Sequence, residues 1–373
     1  MNQYLQTKCK LKEEMHAMSK MSIQKLRKAI DNLDEKLIEL LNQRTNFAIE
    51  IGQLKKKTGD SVFMPAREQK VYDNVRKFNK GPLNSKMLMA IYREIMSSTI
   101  MLQNPMKVAY LGPRATFTNL AAIKKFGSQV EYIASQTITD VFSEVERGHC
   151  DFGVVPVENS IEGAVNHTLD MLVDSDLNIC SEIRLDIAHN LMAKCALKNV
   201  KRVYSKDQVF GQCRIWLETH LPNCELIEVT STTKAAEIAA KETNAAAIAS
   251  SLAAQVYKLN ILAESIEDCP HNVTRFLVIG KKQAKSTKRD KTSIVFSVKD
   301  RVGALHDMLN VFSASKINLT KIESRPSKRK AWDYYFFVDM QGHMSDPKLK
   351  KAFTLLEKKC HFLKVLGSYP MCI

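Results

Sequence analysis

Apolar residues recur at helical spacing from Ser22 to about Asn104 and at strand spacing beyond it, so the chain changes architecture partway along. In the first stretch Ile30, Leu37, Arg44 and Ile51 stand seven apart, and Arg27, Asp34, Leu41, Ala48 and Lys55 form a second column of the same period. Both columns predict one seam of a long helix facing another helix. From Lys107 to about Lys281 the runs KVAYLG, FGVVPV, AAAIAS and TRFLVIG alternate with the helical patterns TITDVFSEVERG and TTKAAEIAAKE. That alternation predicts α/β layers with parallel strands. Asn104–Pro105 marks the first boundary, and the polar run KKQAKSTKRDK at 281–291 reads as an exposed linker. The last segments (TSIVFSV, VGALHDMLNVFSAS, INLTKIES, DYYFFVDM, DPKLKKAFTLLEKK and FLKVLGSY) give the order βαββαβ, a ferredoxin-like α+β sandwich. The fold class is therefore multidomain: an all-α domain at 21–104, an α/β domain at 107–281 and a small α+β domain at 292–373. Residues 1–20, where lysines and glutamates mix without periodicity, read as a flexible tail.

A length of 373 residues suits two to four domains, and 45% apolar with 25% charged residues is ordinary for a globular chain. No apolar stretch is long enough for a membrane span, and the first twenty residues lack the apolar centre of a signal peptide. Nine cysteines lie scattered with no C-x-x-C pair, which suggests inert thiols in a reducing compartment and a cytoplasmic location. Without an H-E-x-x-H pair, a Walker loop or a G-x-G-x-x-G turn, neither a metal nor a nucleotide cofactor is expected. The net charge of +15 is spread along the chain with no aromatic-rich basic strand. A solvated basic surface, or alternatively one that attracts small anionic substrates, accounts for it better than nucleic acid does.

Arg44 interrupts an apolar column, and a buried guanidinium is costly unless an anion meets it. The anion is either a protein carboxylate (Glu35, Glu68 or Glu94) or a ligand. Arg44 and Lys55 lie roughly 16 Å apart along a helix, within reach of one small ligand, whereas Arg27 and Lys55 lie about 42 Å apart. If Arg27 serves the same site, it comes from an antiparallel partner helix, which implies a dimer with shared sites.

The stretch LRKAIDNLDEKLIELLNQRTNFAIEIGQLKK, followed by PAREQKVYDNV and IYREIMSSTIMLQ, resembles the all-helical chorismate mutase family. The resemblance implies that Arg27 of a partner chain, with Arg44, Lys55 and Arg67, surrounds the dicarboxylate chorismate. Glu68 would hold its hydroxyl, and Gln103 with Lys55 its ether oxygen. Thr99 stands where the family usually has Ser, and Met64 where relatives commonly have Asp. A pericyclic rearrangement needs no nucleophile, only a held conformer and donors for the oxygen that gains charge. Arginine forks and Lys55 are suited to that.

In the α/β stretch, GPRATFT is a turn leading into a helix start, where free backbone N–H groups can form an anion pocket. VVPVENS delivers Glu158, Asn159 and Ser160 at the carboxyl end of a strand, and NVTRF places Thr274, Arg275 and Phe276 at a strand entrance. Together with the YS…QC segment from Tyr204 to Cys213 and STTKAA, these resemble prephenate dehydratase in family order. That resemblance implies two α/β lobes, like a type II periplasmic binding protein, with the site in the cleft between them. The lobes fall at 107–182 plus 260–281 and at 183–259. It also implies Thr274 as donor to the leaving oxygen and Glu158 with Asn159 at the ring hydroxyl. Arg275, Ser160 and Thr116 would meet the prephenate carboxylates, with Phe276 beside them. Ala115 replaces the usual Gly of the first loop, and Lys206–Asp207 replaces a common His-Pro.

The last domain resembles the ACT family of amino-acid sensors. Gly303, Ala304 and Leu305 open its first helix, and Glu323, Ser324, Arg325 and Pro326 close its second strand. Both match phenylalanine-binding signatures, which implies L-phenylalanine as an allosteric inhibitor of a homodimer or higher even oligomer. Two other readings stay open: a dehydratase whose helical domain only dimerises, and a catalytically silent amino-acid-sensing regulator.

Overall fold

A computed structural model describes residues 23–58, 64–299, 301–327 and 333–371, so the expected tail lies outside the described residues. The chain divides between Asp60 and Ser61 into two units. In the first, the seven-residue period yields a single 36-residue helix, α1 (Ile23–Thr58). Its apolar positions face outward in the single chain: Leu37 is 54% exposed, Phe47 66% and Leu54 62%.

The second unit opens with two helices, α2 (Pro65–Phe78) and α3 (Ser85–Gln103). Pro65 starts α2 where its missing N–H has no partner to lose, and Asn84 caps α3 by accepting from the Met87 N–H.

The first α/β lobe is a sheet of β1 (Lys107–Leu111), β2 (Glu131–Ser135), β3 (Phe152–Asn159), β4 (Gly163–Ala164), β5 (Asn178–Asp186) and β11 (Val273–Gly280). Its order is β2-β1-β3-β11-β5, with β4 beside β3. Helices α4 (Phe117–Phe126), α5 (Ile138–Glu146) and α6 (Asn166–Asp174) connect these strands. The second lobe is β10-β6-β9-β7-β8, made of β6 (Asn190–Ala193), β7 (Arg202–Ser205), β8 (Glu225–Glu228), β9 (Ala245–Ala249) and β10 (Asn260–Ala263). It carries α7 (Asp207–Gln212), α8 (Arg214–His220), α9 (Thr232–Ala239) and α10 (Ser251–Tyr257).

Two expectations need correction. The sheets are mixed rather than parallel, because β11 returns antiparallel between β3 and β5, and β6 runs antiparallel to both β9 and β10. The lobe boundaries also shift. β5 carries the first sheet to Asp186, and β10 pairs with β6, so residues 260–263 belong to the second lobe.

The sensor domain is β12 (Asp290–Ser297), α11 (Ala304–Ala314), β13 (Leu319–Pro326), β14 (Tyr334–Gln341), α12 (Pro347–Glu357) and β15 (Phe362–Pro370), with sheet order β13-β14-β12-β15. One face packs on its two helices through Ile294, Phe296, Met308, Phe312 and Leu356. The other face shares a core with the first lobe, where Val295, Phe337, Leu366 and Tyr369 meet Ile179, Leu277 and Ile279. At Gly367 (φ 154°) a side chain would run into the Ile179 backbone. This two-sided burial explains why β12 is buried at every position. It also corrects the end of the expected linker: Asp290 and Lys291 are strand residues, each 3% exposed.

Candidate functional site

β3 and β11 are antiparallel neighbours whose register sets Thr274 opposite Asn159 and Arg275 opposite Glu158. The two sequence motifs, more than a hundred residues apart, thus become one surface at the cleft. The Asn159 side chain cannot be flipped. Its Oδ1 accepts from the Ile161 N–H at 2.9 Å and the Glu162 N–H at 3.0 Å, so its NH2 faces the other way. Nδ2 donates to Thr274 Oγ1 at 2.8 Å and to Asn272 Oδ1 at 2.7 Å. Thr274 therefore accepts within the protein, and its own proton is what it can offer a ligand. Asn272 continues the chain, donating to Gln212 Oε1 at 3.1 Å, and Gln212 Oε1 lies 2.9 Å from His189 Nε2.

The charged residues beside this pair are engaged by protein. Arg275 is 9% exposed, with Nε 2.8 Å from Glu182 Oε2, Nη1 2.6 Å from Asp339 Oδ2 and Nη2 donating to the Tyr369 hydroxyl at 2.9 Å. Lys291 donates to both Glu182 oxygens. Burial opposes the charge, but Tyr369, Asp339 and Glu182 around it hold the Arg275 guanidinium well above the usual arginine range. Burial drives the Tyr369 phenol upward, so it stays neutral. Glu158 lies 3.7 Å from Arg275 and 3.0 Å from Lys321 of β13.

Three residues expected at the ligand have local duties that account for them. Thr116 caps α4, accepting from the Asn119 N–H and donating to the Leu111 carbonyl, while Asn119 Oδ1 takes the Ala115 N–H. The helix start expected as an anion pocket is thus partly satisfied from within. Ser160 donates to the His271 carbonyl and accepts from the Val273 N–H, tying two loops together. Phe276, 2% exposed, packs in the first lobe's core with Val108, Tyr110 and Val278, so it does not line the cleft.

The mutase-like residues are divided between the units. On α1, Arg27 is exposed while Arg44 and Lys55 are half-buried. In the second unit Arg67 is exposed, Gln103 is half-buried, and the buried Thr99 hydroxyl donates to the Ile95 carbonyl at 2.6 Å. Met64, which precedes α2, makes no side-chain cap. Glu68 accepts from Lys125 Nζ at 2.7 Å in a cleft of about 420 Å³ that Tyr72, Arg93, Glu182 and Arg184 also line.

Family profiles match this division: chorismate mutase type II over residues 26–104, prephenate dehydratase over 108–284 and the ACT domain over 292–354. The chain is 50% identical to the bifunctional chorismate mutase/prephenate dehydratase of Aquifex aeolicus, over 94% of this chain and 98% of that one. It is 45% identical to the Pseudomonas aeruginosa protein of the same name, over 93% and 97%. The chain belongs to the bifunctional chorismate mutase/prephenate dehydratase family.

Solved dehydratases agree with the shape of the second unit. An Arthrobacter aurescens prephenate dehydratase in complex with L-Phe superposes with a TM-score of 0.66 at 33% identity, over 71% of this chain and 90% of that one. The Staphylococcus aureus prephenate dehydratase gives 0.63 at 32%, over 71% and 100%.

In this family member's sensor, Gly303 caps α11 at φ 77°, a left-handed position that suits glycine. Ala304 is buried, Leu305 and Glu323 are half-buried, and Ser324 and Pro326 are exposed. Arg325 is buried in a two-pronged bond to Asp170 of α6, which fastens the sensor strand to the first lobe. Gln212 and Asn272 sit inside motifs the sequence had marked. His189, Lys321 and Asp339 do not, and only chain folding brings them together with these residues.

Among the described residues no helix is long and apolar enough to cross a membrane, and no three His, Cys, Asp or Glu side chains converge as a metal site. The described cysteines are free thiols. Burial pushes Cys180 and Cys213 up to about 12, which makes them poor nucleophiles.

Proposed function

We infer that the two enzymes joined in this chain act in succession, the helices at 21–104 turning chorismate into prephenate and the lobes at 107–281 turning prephenate into phenylpyruvate at Thr274. The observation that carries the assignment is the fixed Asn159 amide. Because it donates to Thr274 Oγ1, the hydroxyl proton is directed away from Asn159 and available to the oxygen leaving the substrate ring. As the C–O bond breaks, the bond to the ring carboxylate supplies the electrons that aromatise the ring, and CO₂ departs. A threonine hydroxyl is too weak an acid to give up its proton early, so its contribution is a hydrogen bond that strengthens as charge builds on the oxygen. Arg275 and Glu158 shape this wall by holding β11 and β3 against the sensor sheet.

For the mutase, α1 of a second copy covers the apolar seam and brings Arg27 to Arg44, Lys55, Arg67, Thr99 and Gln103. Glu68 then exchanges Lys125 for the substrate hydroxyl. L-Phenylalanine binds the sensor at Gly303–Leu305 and Glu323–Pro326, and the enzyme works in the cytoplasm as an even oligomer.

Thr274→Val tests the dehydratase assignment. It is expected to lower the turnover of prephenate by about a hundredfold and to leave chorismate consumption unchanged. Thr274→Ser retains most of the rate. A valine variant with full phenylpyruvate output overturns the assignment.

A further inference from the structure

The hydrogen-bond chain behind Thr274 does not stop at the first lobe. Asn159, Asn272 and Thr274 belong to that lobe, Gln212 closes α7 in the second, and His189 lies in the crossover between β5 and β6 that joins the two. His189 is 3% exposed and held on several sides. Its backbone N–H donates to Glu267 Oε2 at 2.8 Å, its carbonyl accepts from the Ile266 N–H at 2.8 Å, and Phe117 meets its ring edge-on at 5.6 Å. Among the described residues its Nδ1 has no hydrogen-bond partner.

That bare nitrogen decides the tautomer. A proton on Nδ1 would be a buried donor with nothing to accept it, at a cost of about 1–3 kcal/mol. With the proton on Nε2, the ring donates to Gln212 Oε1, and Nδ1 is left as a lone pair, which is easier to bury unsatisfied. The Nε2–H then fixes the Gln212 amide. Its oxygen faces His189 and the Asn272 NH2, and its nitrogen faces Glu162 Oε1 at 3.3 Å. Turned over, Gln212 would set its NH2 against two other donors. Oriented as it is, it holds Asn272 with its oxygen toward Asn159, and Asn159 holds Thr274.

We propose that His189 is a positioning residue for the dehydratase reaction, acting across the cleft through Gln212 and Asn272 on the Asn159–Thr274 pair. It rests on the reading of Thr274 given above. The chain of bonds joins both lobes, since Gln212 of the second accepts from Asn272 of the first.

The test uses the full-length chain with His189→Leu, His189→Asn and His189→Gln, and with Thr274→Val in parallel. Each variant is assayed for dehydratase kcat and KM, with chorismate mutase turnover of the same preparation as a folding control. A glutamine amide reaches the place of Nε2, and an asparagine amide does not. His189→Leu and His189→Asn are expected to lose about tenfold in kcat with KM nearly unchanged, and His189→Gln to recover to within about threefold of the parent. If Thr274→Val is inactive while His189→Leu and His189→Asn keep the parent kcat, the role of His189 is rejected and that of Thr274 stands. Equal impairment of the glutamine and asparagine variants shows that ring shape rather than the hydrogen bond matters, which also overturns the proposal. A fully active Thr274→Val removes the reading beneath it.

Discussion

Arg275 Nη1 lies 2.6 Å from Asp339 Oδ2, which joins the strand that carries Thr274 to a central strand of the sensor sheet. Both side chains are nearly buried, and Asp339 also accepts from the Ser293 hydroxyl at 2.5 Å. A buried cation in such a setting is stabilising only while its anions remain. Asp339→Ala is therefore expected to destabilise the second unit by about 3 kcal/mol, read from chemical denaturation. A loss under about 1 kcal/mol would mean that Glu182 and Tyr369 suffice to satisfy Arg275.

Lys321 offers a second contact of this kind, closer to the chemistry. Its ammonium lies 3.0 Å from Glu158, one residue before Asn159. On the reading that phenylalanine acts through the sensor, any displacement of β13 reaches Glu158 through this pair. Lys321→Met should raise the phenylalanine concentration needed for half-inhibition by about fivefold or more, while equilibrium phenylalanine binding changes less. Unaltered inhibition would place the coupling elsewhere, with the Arg325–Asp170 bond as the next candidate.

Much of this was legible in the chain. The seven-residue period gave α1 as one helix, and the βαββαβ order of the sensor stands as read. Thr274 and Asn159 could be marked because TRF and VPVENS together resemble prephenate dehydratase, whereas a lone threonine in a strand signals nothing. The ion pairs could not. Arg275 and Lys291 both converge on Glu182, and nothing local to any of the three signals it, since a strand alternates faces without naming its neighbour. The mixed strand direction of the sheets is hidden for a similar reason. TRFLVIG is an apolar run buried on both faces, and such runs fit a central strand of either direction. Ala115 shows the limit at a single residue. It occupies φ 71° where glycine is usual, and its side chain packs with Tyr204 and Ala247 of the second lobe.

The buried imidazole of His189 should also show in the pH dependence of stability. Burial lowers its pKa from 6.5, opposed by the Gln212 hydrogen bond and by Glu267 and Glu162 nearby. The unfolded chain therefore binds more protons than the folded one between the lowered value and 6.5. Stability from this residue is fully present above 6.5 and is lost as the pH falls through the folded value. Thermal melts taken from about pH 7.5 to about pH 5.5 should fall more steeply for the parent than for His189→Gln. Parallel curves would mean that the imidazole is not kept neutral.

In the single chain α1 displays a run of exposed apolar side chains. Ile30, Leu33, Leu37, Ile51 and Leu54 are each at least half exposed. Burying one such side chain contributes about 1.5–3 kcal/mol, so a helix displaying a row of them is stable in water when something covers the row. A second α1 running antiparallel fits, because it also carries Arg27 toward Lys55, which lies about 42 Å from the Arg27 of its own chain at the rise of a helix. Mixing tells this arrangement from simple dimerisation. Arg27→Ala and Arg44→Ala chains are each expected to lose chorismate mutase turnover. If every site takes Arg27 from one chain and Arg44 from the other, a mixed dimer places both defects in one site and leaves the second intact. Co-refolding the two inactive variants should then restore mutase activity while prephenate turnover stays constant throughout. Sites built within one chain would each keep one defect, and no mixture would regain activity.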